Sequence, residues 1–145
     1  YHVSNLALYD KAGTLDFYIT RKGNCSSLLE PNPTDIHVVN RPDLLAFEKV
    51  EVVCSTLEKE LGHLNQIDYL KIDTQGSEYE ILVGAGDLLH KVVEIQCEVE
   101  QTEMYKTQKL DKDIKELLTS KGFNLTRTKK SANHADVWYY NTRFL

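Results

Sequence analysis

The sequence predicts an α/β fold in which a mainly parallel sheet ends in an antiparallel pair of strands. Apolar strand patterns alternate with helical patterns between residues 49 and 118, which is typical of parallel strand-helix-strand units. The last two predicted strands follow each other with no helix between them, which indicates an antiparallel terminal hairpin. A second antiparallel hairpin is predicted at the start of the chain, before the first helix.

The opening hairpin is predicted from alternation and turn residues. Residues 3–9 are predicted to form a strand, 10–13 its turn, and 15–19 the returning strand, in which apolar and polar residues alternate. Residues 21–42 contain all three prolines together with Gly, Ser and Asn, which predicts a long loop with an extended segment at 36–39. A loop of this length can serve as a mobile lid.

The central elements follow from hydrophobic periodicity and capping residues. A strand over 49–54 precedes Ser55 or Thr56, which can cap a short helix with Leu57, Leu61 and Leu64 on one stripe. The remaining predicted elements are a strand over 67–73, a helix from Ser77 to Gly84 or Gly86, a strand over 92–99, a helix with Leu110, Ile114, Leu117 and Leu118 that stops at Gly122, and strands over 123–128 and 136–141.

Composition indicates a single soluble domain over residues 1–145, with 41% hydrophobic and 27% charged residues. The net charge of -5 and the lack of a Lys- and Arg-rich segment argue against a nucleic-acid partner. No apolar run reaches the roughly 20 residues that a membrane span needs, so no membrane partner is expected. Cys25, Cys54 and Cys97 are widely spaced, which favours reduced thiols of a cytoplasmic protein over disulfides or zinc ligands.

Polar side chains interrupt the strand over 67–73. Leu70 and Ile72 point to one face of this strand, whereas Lys71 and Asp73 point to the other. Burying either charge without a partner costs several kcal/mol, so the two charges need compensation. Asp73 lies at the carboxyl end of the strand, where open α/β sheets bind their ligands.

The residues after Asp73 predict a tight turn into a helix. Gly76 permits a sharp turn and a close approach of the backbone, and Ser77 can cap the following helix. Glu78 falls in the first helical turn, where a negative charge favours the positive end of the helix dipole.

A family resemblance rests on YLKIDTQGSEYEILVGA and on the following strand VVEIQCEVE. These segments resemble the FkbM-type methyltransferases, which use S-adenosylmethionine. The similarity continues through NLALYDKAGTLDFYI and SSLLEPN upstream, and through LLTSKGFNL and DVWYYN downstream. The core Lys-Ile-Asp-x-x-Gly-x-Glu pattern is fairly specific. The chain begins at Tyr1 and enters a predicted strand almost at once, so we expect it to be part of a larger protein.

The resemblance implies a partial Rossmann-like methyltransferase sheet. In the family order 3-2-1-4-5-7-6, the first hairpin here begins in strand 3, and the strands from 67, 92, 123 and 136 are strands 4 to 7. The family's first strand, its Asp-x-Gly-Ala-Asn-x-Gly loop and its acidic ribose-binding strand are absent. Glu30-Pro31-Asn32 is interpreted as a loop, not as the ribose ligand. The chain is therefore a truncated domain, or a different strand pairing fills the gap.

The resemblance also implies that the larger protein transfers a methyl group from S-adenosylmethionine to an oxygen of a sugar or other small-molecule acceptor. Residues 1–145 alone lack the cofactor loop and are expected to bind S-adenosylmethionine weakly or not at all and to be inactive. Asp73 is the first candidate to orient or deprotonate the acceptor, and Glu98, at the end of the next strand, is the second. An alternative is that Asp73 only pairs with Lys71. Asn5 and Ala7 follow the family's third strand and are predicted to contact the cofactor near its adenine.

Two further residues are predicted to bind the substrate. Gln75 lies in the turn after Asp73, and His134 lies between the last two strands, in a connection expected on the ligand side of the sheet. Adjacent carboxylates can also hold a divalent ion, but no metal site is assigned. A second hypothesis is a non-catalytic binding or assembly domain built on the same half-sheet, because the glycine loop is missing.

Overall fold

The structure is a computed structural model, and it describes residues 3–145 of the chain. It contains seven strands and three α-helices in these described residues. The strands are β1 (Ala7–Leu8), β2 (Gly13–Thr20), β3 (Ala46–Ser55), β4 (Ile67–Ile72), β5 (Val92–Glu100), β6 (Phe123–Lys130) and β7 (His134–Asn141). The helices are α1 (Leu57–Leu61), α2 (Glu78–Gly84) and α3 (Asp111–Ser120), with short 3-10 turns at Gly23–Cys25, Pro42–Leu44, Gly86–Lys91 and Thr142–Phe144.

The larger sheet has four strands in the order β4-β5-β7-β6. β4 and β5 are parallel, and Ile72 lies opposite Cys97. β7 runs antiparallel to both β5 and β6. The predicted parallel pair, the antiparallel terminal hairpin and the order of these four strands are therefore confirmed.

The core lies on one face of this sheet. Alternate residues of β7 are buried, and β5 contributes a similar buried row because its apolar residues also fall on every second position. α2, α3 and the turn at 86–91 cover this face with side chains that are almost fully inaccessible, namely Leu82, Leu88, Leu89, Ile114 and Leu118. Burial of each such side chain stabilises the fold by about 1.5–3 kcal/mol.

The predicted N-terminal hairpin is wrong. β2 pairs antiparallel with β3 along its whole length, and β1 pairs parallel with the other side of β3, so the smaller sheet has the order β1-β3-β2. Neighbouring strands are about 4.8 Å apart, so β1 and β2 are separated by about 10 Å, a gap that residues 9–12 can span. Alternation predicted the β2 strand correctly, but it carries no information about which strand is its partner.

The predicted extended segment at 36–39 is also wrong. This stretch forms turns, in which the Asp35 carbonyl accepts hydrogen bonds from the amides of Val38 and Val39 at 3.0 and 2.8 Å. The Asp35 carboxylate accepts a third hydrogen bond from the His37 amide at 2.8 Å. Asp favours such turns because its side chain bonds to a nearby backbone amide. The role of this loop as a mobile lid stays a prediction.

No alternative pairing joins the two sheets in the described part of the chain. Within residues 3–145, β4 pairs with β5 and with no other strand. Cys25, Cys54 and Cys97 are free thiols. Over the same residues, no helix combines the length and the apolar character that crossing a bilayer requires.

Candidate functional site

Two cavities meet beyond the carboxyl ends of β4 and β5. The apolar cavity, of about 660 Å³, lies between the smaller sheet and the β4 end and is lined by Leu8, Phe17, Ile19, Leu28 and Asp73, among others. The polar cavity, of about 420 Å³, is lined by Lys22, Arg41, Glu98, Glu100 and His134, among others. Asn24 and Gln75 line both cavities. The loop that contains Gln75 therefore separates two different chemical environments.

That loop has an unusual backbone. Gln75 has a φ angle of 59° and Gly76 one of 104°, both in the left-handed region. A non-glycine residue there costs on the order of 1–3 kcal/mol. The Gln75 carbonyl accepts a hydrogen bond from the Ser27 hydroxyl at 2.6 Å, which helps to hold this conformation. A Cβ atom at Gly76 would lie 2.8 Å from the Tyr105 ring, so the close approach predicted for this glycine is confirmed.

The side chain of Glu78 stabilises the same loop. Its buried carboxylate accepts hydrogen bonds from the amides of Thr74 and Gly76 at 2.8 and 2.9 Å. Burial raises the pKa of this carboxyl group. The helix dipole alone therefore does not explain Glu78. The expected side-chain cap by Ser77 is absent, because its hydroxyl donates to the Thr74 hydroxyl instead.

Asp73 lies at the end of β4 and is partly exposed. Its carboxylate is 3.0 Å from the Lys71 ammonium, with 42% and 52% of the two side chains accessible. The hydrogen bond and charge of Asp73 raise the pKa of Lys71. An exposed pair of this kind contributes at most about 1 kcal/mol to stability. Asp73 therefore pairs with Lys71, as the alternative interpretation predicted. It also lines the apolar cavity.

Glu98 occupies the matching position on β5 in a more buried setting. Only 17% of its side chain is accessible, and its carboxylate lies 3.5 Å from Nε2 of His134. The Gln75 amide donates a hydrogen bond to its other oxygen at 3.1 Å. Burial, followed by the charge of Asp73, raises the pKa of Glu98. The structure therefore brings Glu98, Gln75 and His134 together in the polar cavity.

Asp73 and Glu98 lie at the same end of the sheet, as predicted. Each directly follows one residue of the Ile72–Cys97 pair in the β4–β5 register. They do not line a common cavity, however, because Asp73 faces the apolar cavity and Glu98 the polar one. The predicted pair of carboxylates is thus divided between two adjacent sites.

His134 is the first residue of β7 and pairs with Glu100 across the ladder. Its Nδ1 atom is 3.2 Å from the Asn133 side-chain oxygen, which leaves Nε2 directed to Glu98. The sequence predicted that β7 begins at residue 136, so it placed His134 in the connecting loop. His134 nevertheless lies at the same end of the sheet as Glu98, as expected. Its role in substrate binding stays a prediction.

The loop after β5 contributes residues whose roles the sequence did not indicate. The Tyr105 hydroxyl donates to the Cys25 carbonyl at 3.0 Å and lies 3.3 Å from the Gln75 side-chain oxygen. The Gln108 amide donates to Glu100 at 2.6 Å. Burial, followed by the charge of Glu78, raises the pKa of Glu100 to about 8. Residues 101–110 have no periodic pattern, so only the Tyr within a polar stretch could have drawn attention.

The two predicted cofactor residues line one surface depression, together with Val52 and Val53. Ala7 also lines the apolar cavity, whereas Asn5 does not. Glu30 lines neither of the two central cavities, and its carboxylate pairs with Lys106 at 2.8 Å, which agrees with its interpretation as a loop residue.

Comparison with known proteins gives one match. The Methyltransferase FkbM domain matches residues 1–125, which is most of the chain. The chain belongs to the FkbM methyltransferase family. No curated protein and no solved structure matches it.

The matched part of the FkbM domain contains Asp73, Gln75 and Glu98, whereas β7 and His134 lie beyond residue 125. Membership supports a methyltransferase at the level of the family. The mixed α/β architecture with a parallel pair of strands agrees with this assignment.

Proposed function

We propose that this protein transfers a methyl group from S-adenosylmethionine to an oxygen of a sugar or other small metabolite, on a Rossmann-like sheet of which β4, β5, β7 and β6 are part. The observation that carries the proposal is the meeting of two unlike cavities at Gln75. An apolar cavity suits a nucleoside, and a polar cavity with a carboxylate and a histidine suits a hydroxyl acceptor.

The residues of the apolar cavity fit S-adenosylmethionine in part. Phe17, Ile19 and Leu28 offer apolar surface to the adenosine portion, and Ala7 remains the predicted neighbour of the adenine. Asp73 supplies a negative charge, which complements a sulfonium cation. It is the only carboxylate that lines this cavity among residues 3–145, so no second acid is available for the ribose, and we expect weak binding.

The residues of the polar cavity supply a proton acceptor. When bound, S-adenosylmethionine provides an electrophilic methyl carbon, whose bond to sulfur breaks as the acceptor oxygen attacks. In this proposal Glu98 accepts the hydroxyl proton, and a raised pKa brings its carboxylate closer to the range in which general bases work. Gln75 and His134 hold the two oxygens of Glu98 in a fixed orientation.

The proposal is tested with the natural full-length protein, by methyl transfer from radiolabelled S-adenosylmethionine to a panel of sugars and hydroxy compounds. Glu98→Gln keeps the shape of the side chain and removes the base, so we expect kcat to fall by about 10²-fold or more with little change in cofactor affinity. Glu94→Gln is the matched control, because Glu94 lies on the same face of β5 but four residues from the sheet edge. Wild-type turnover in Glu98→Gln would contradict the assignment of the base.

A further inference from the structure

We propose that the acceptor is a hydroxy acid, such as a sugar acid, whose carboxylate binds Lys22 while its hydroxyl faces Glu98. This inference rests on the proposed function and specifies its substrate class. It follows from the distribution of charge around the polar cavity. Lys22 and Arg41 come from the loop between β2 and β3, and Glu98 and Glu100 come from β5.

The backbone of Lys22 is held in place from several sides. Its amide donates to the Asp43 carbonyl at 3.0 Å, which brings the two ends of the long loop together. Its carbonyl accepts hydrogen bonds from the Thr20 hydroxyl at 2.7 Å and from the Cys25 amide at 2.8 Å. These hydrogen bonds fix the backbone of Lys22 at the polar cavity, which Arg41 also lines.

The two cations differ in how far their charge is compensated. Asp43 accepts hydrogen bonds from Nε and Nη2 of Arg41 at 2.9 and 2.7 Å, so this pair is close to neutral. Lys22 has no carboxylate within salt-bridge distance among residues 3–145. A ligand carboxylate can pair with the exposed Lys22. Nη1 of Arg41, which donates no hydrogen bond within residues 3–145, can donate to the same carboxylate.

Glu98, which lines the same cavity, favours the hydroxyl end of the ligand. Glu98 is acidic and largely buried, so a ligand carboxylate at that end would be repelled, whereas a hydroxyl can donate to it. His134 and Asn133 add polar groups on the same side. The volume of about 420 Å³ lies within the range of small-molecule sites. A small ligand with one acidic end and one hydroxyl end can pair with Lys22 and donate a hydrogen bond to Glu98.

A matched pair of sugars tests this inference without the cofactor. Methyl β-glucuronide and methyl β-glucoside differ only at C6, where the first has a carboxylate. In calorimetric or amide NMR titrations at low salt, we expect the glucuronide to bind the protein about tenfold more tightly than the glucoside, and added salt to reduce this difference. Lys22→Gln should abolish the difference, whereas Lys11→Gln, in an exposed turn that lines neither cavity, should preserve it.

Equal binding of the two sugars, or a preference that survives in Lys22→Gln, would overturn the inference. Methyl-transfer assays with the same two sugars separate it from the proposed function. Transfer to both sugars with equal kcat/KM would uphold methyl transfer and overturn carboxylate recognition. Lys22-dependent binding of the glucuronide with no transfer of a methyl group to it would uphold carboxylate recognition and count against the proposed chemistry.

Discussion

Asp73 and Glu98 hold equivalent positions on adjacent parallel strands, yet their surroundings differ. Asp73 is 42% accessible and forms an ion pair with Lys71, whereas Glu98 is 17% accessible and contacts Gln75 and His134. The pKa of Glu98 is raised by burial and by the charge of Asp73. Two carboxylates at the same end of a sheet can therefore have different chemical roles. Burial and hydrogen-bond partners determine these roles, and position along the strand does not.

The largest expected effect is a pH-dependent change in the free energy of unfolding, which arises at the buried Glu100. Its pKa in the folded protein is about 8, above the ordinary value of 4.5, because burial and the charge of Glu78 disfavour its ionised form. Its contribution to stability is fully present below pH 4.5 and is lost as the pH rises toward 8. The loss is on the order of a few kcal/mol, since each unit of pKa shift corresponds to about 1.4 kcal/mol.

Urea denaturation at a series of pH values measures this effect. The free energy of unfolding of the wild type should fall between pH 5 and pH 8, and Glu100→Gln should flatten the decline, because a neutral amide can still accept from Gln108. Glu94→Gln provides the control for loss of a carboxylate on the same strand. An unchanged pH dependence in Glu100→Gln would contradict the raised pKa.

Gln75 lines both cavities. The variant Gln75→Gly distinguishes the hydrogen bond from its side chain to Glu98 from the strain in its backbone. Glycine adopts a φ of 59° without strain, so the free energy of unfolding should change by no more than about 1 kcal/mol. Loss of the amide that donates to Glu98 should lower kcat by about tenfold and move the acidic limb of the pH profile upward, since the ionised carboxylate loses a donor.

Gln75→Asn serves as the companion variant, because it keeps an amide but shortens its reach. It should show the same kinetic defect as Gln75→Gly. A kinetic defect that appears only with a large loss of stability would assign Gln75 a purely structural role.

The smallest effect on the free energy of unfolding is expected from the partly exposed Lys71–Asp73 pair. Lys71→Gln should lower the free energy of unfolding by no more than about 1 kcal/mol, because both side chains are about half accessible and solvent screens the pair. Thermal unfolding at low and high salt measures this difference, which should shrink at high salt. A loss of several kcal/mol would contradict this expectation and show that the ion pair is important for the stability of the β4 end.

The carboxyl ends of β4 and β5 could be predicted from the sequence because the signals for these strands are local. Alternating residues give the strand, the carboxyl end gives the position of Asp73 and Glu98, and the register of two parallel strands brings them together. The small sheet could not be predicted in the same way. The pattern in β2 fits either β1 or β3 as a partner. The choice depends on contacts between residues that are 26 (Thr20 and Ala46) to 41 (Gly13 and Cys54) positions apart in the chain.

The walls of the cavities were not predictable, for a related reason. Ser27 bonds to the Gln75 carbonyl across 48 residues, and the Tyr105 hydroxyl bonds to the Cys25 carbonyl across 80. Neither contact has a local sequence signal, because single side chains in irregular loops form them. The division of the site into two cavities depends on these contacts.

The central claim, that Asp73 and Glu98 serve different cavities, is tested most directly by steady-state kinetics of Asp73→Asn and Glu98→Gln measured side by side. We expect Asp73→Asn to raise KM for S-adenosylmethionine by about tenfold with a smaller change in kcat, and Glu98→Gln to lower kcat by about 10²-fold with KM for S-adenosylmethionine nearly unchanged. Melting temperatures of both variants control for unfolding. Identical kinetic signatures in the two variants would contradict the claim.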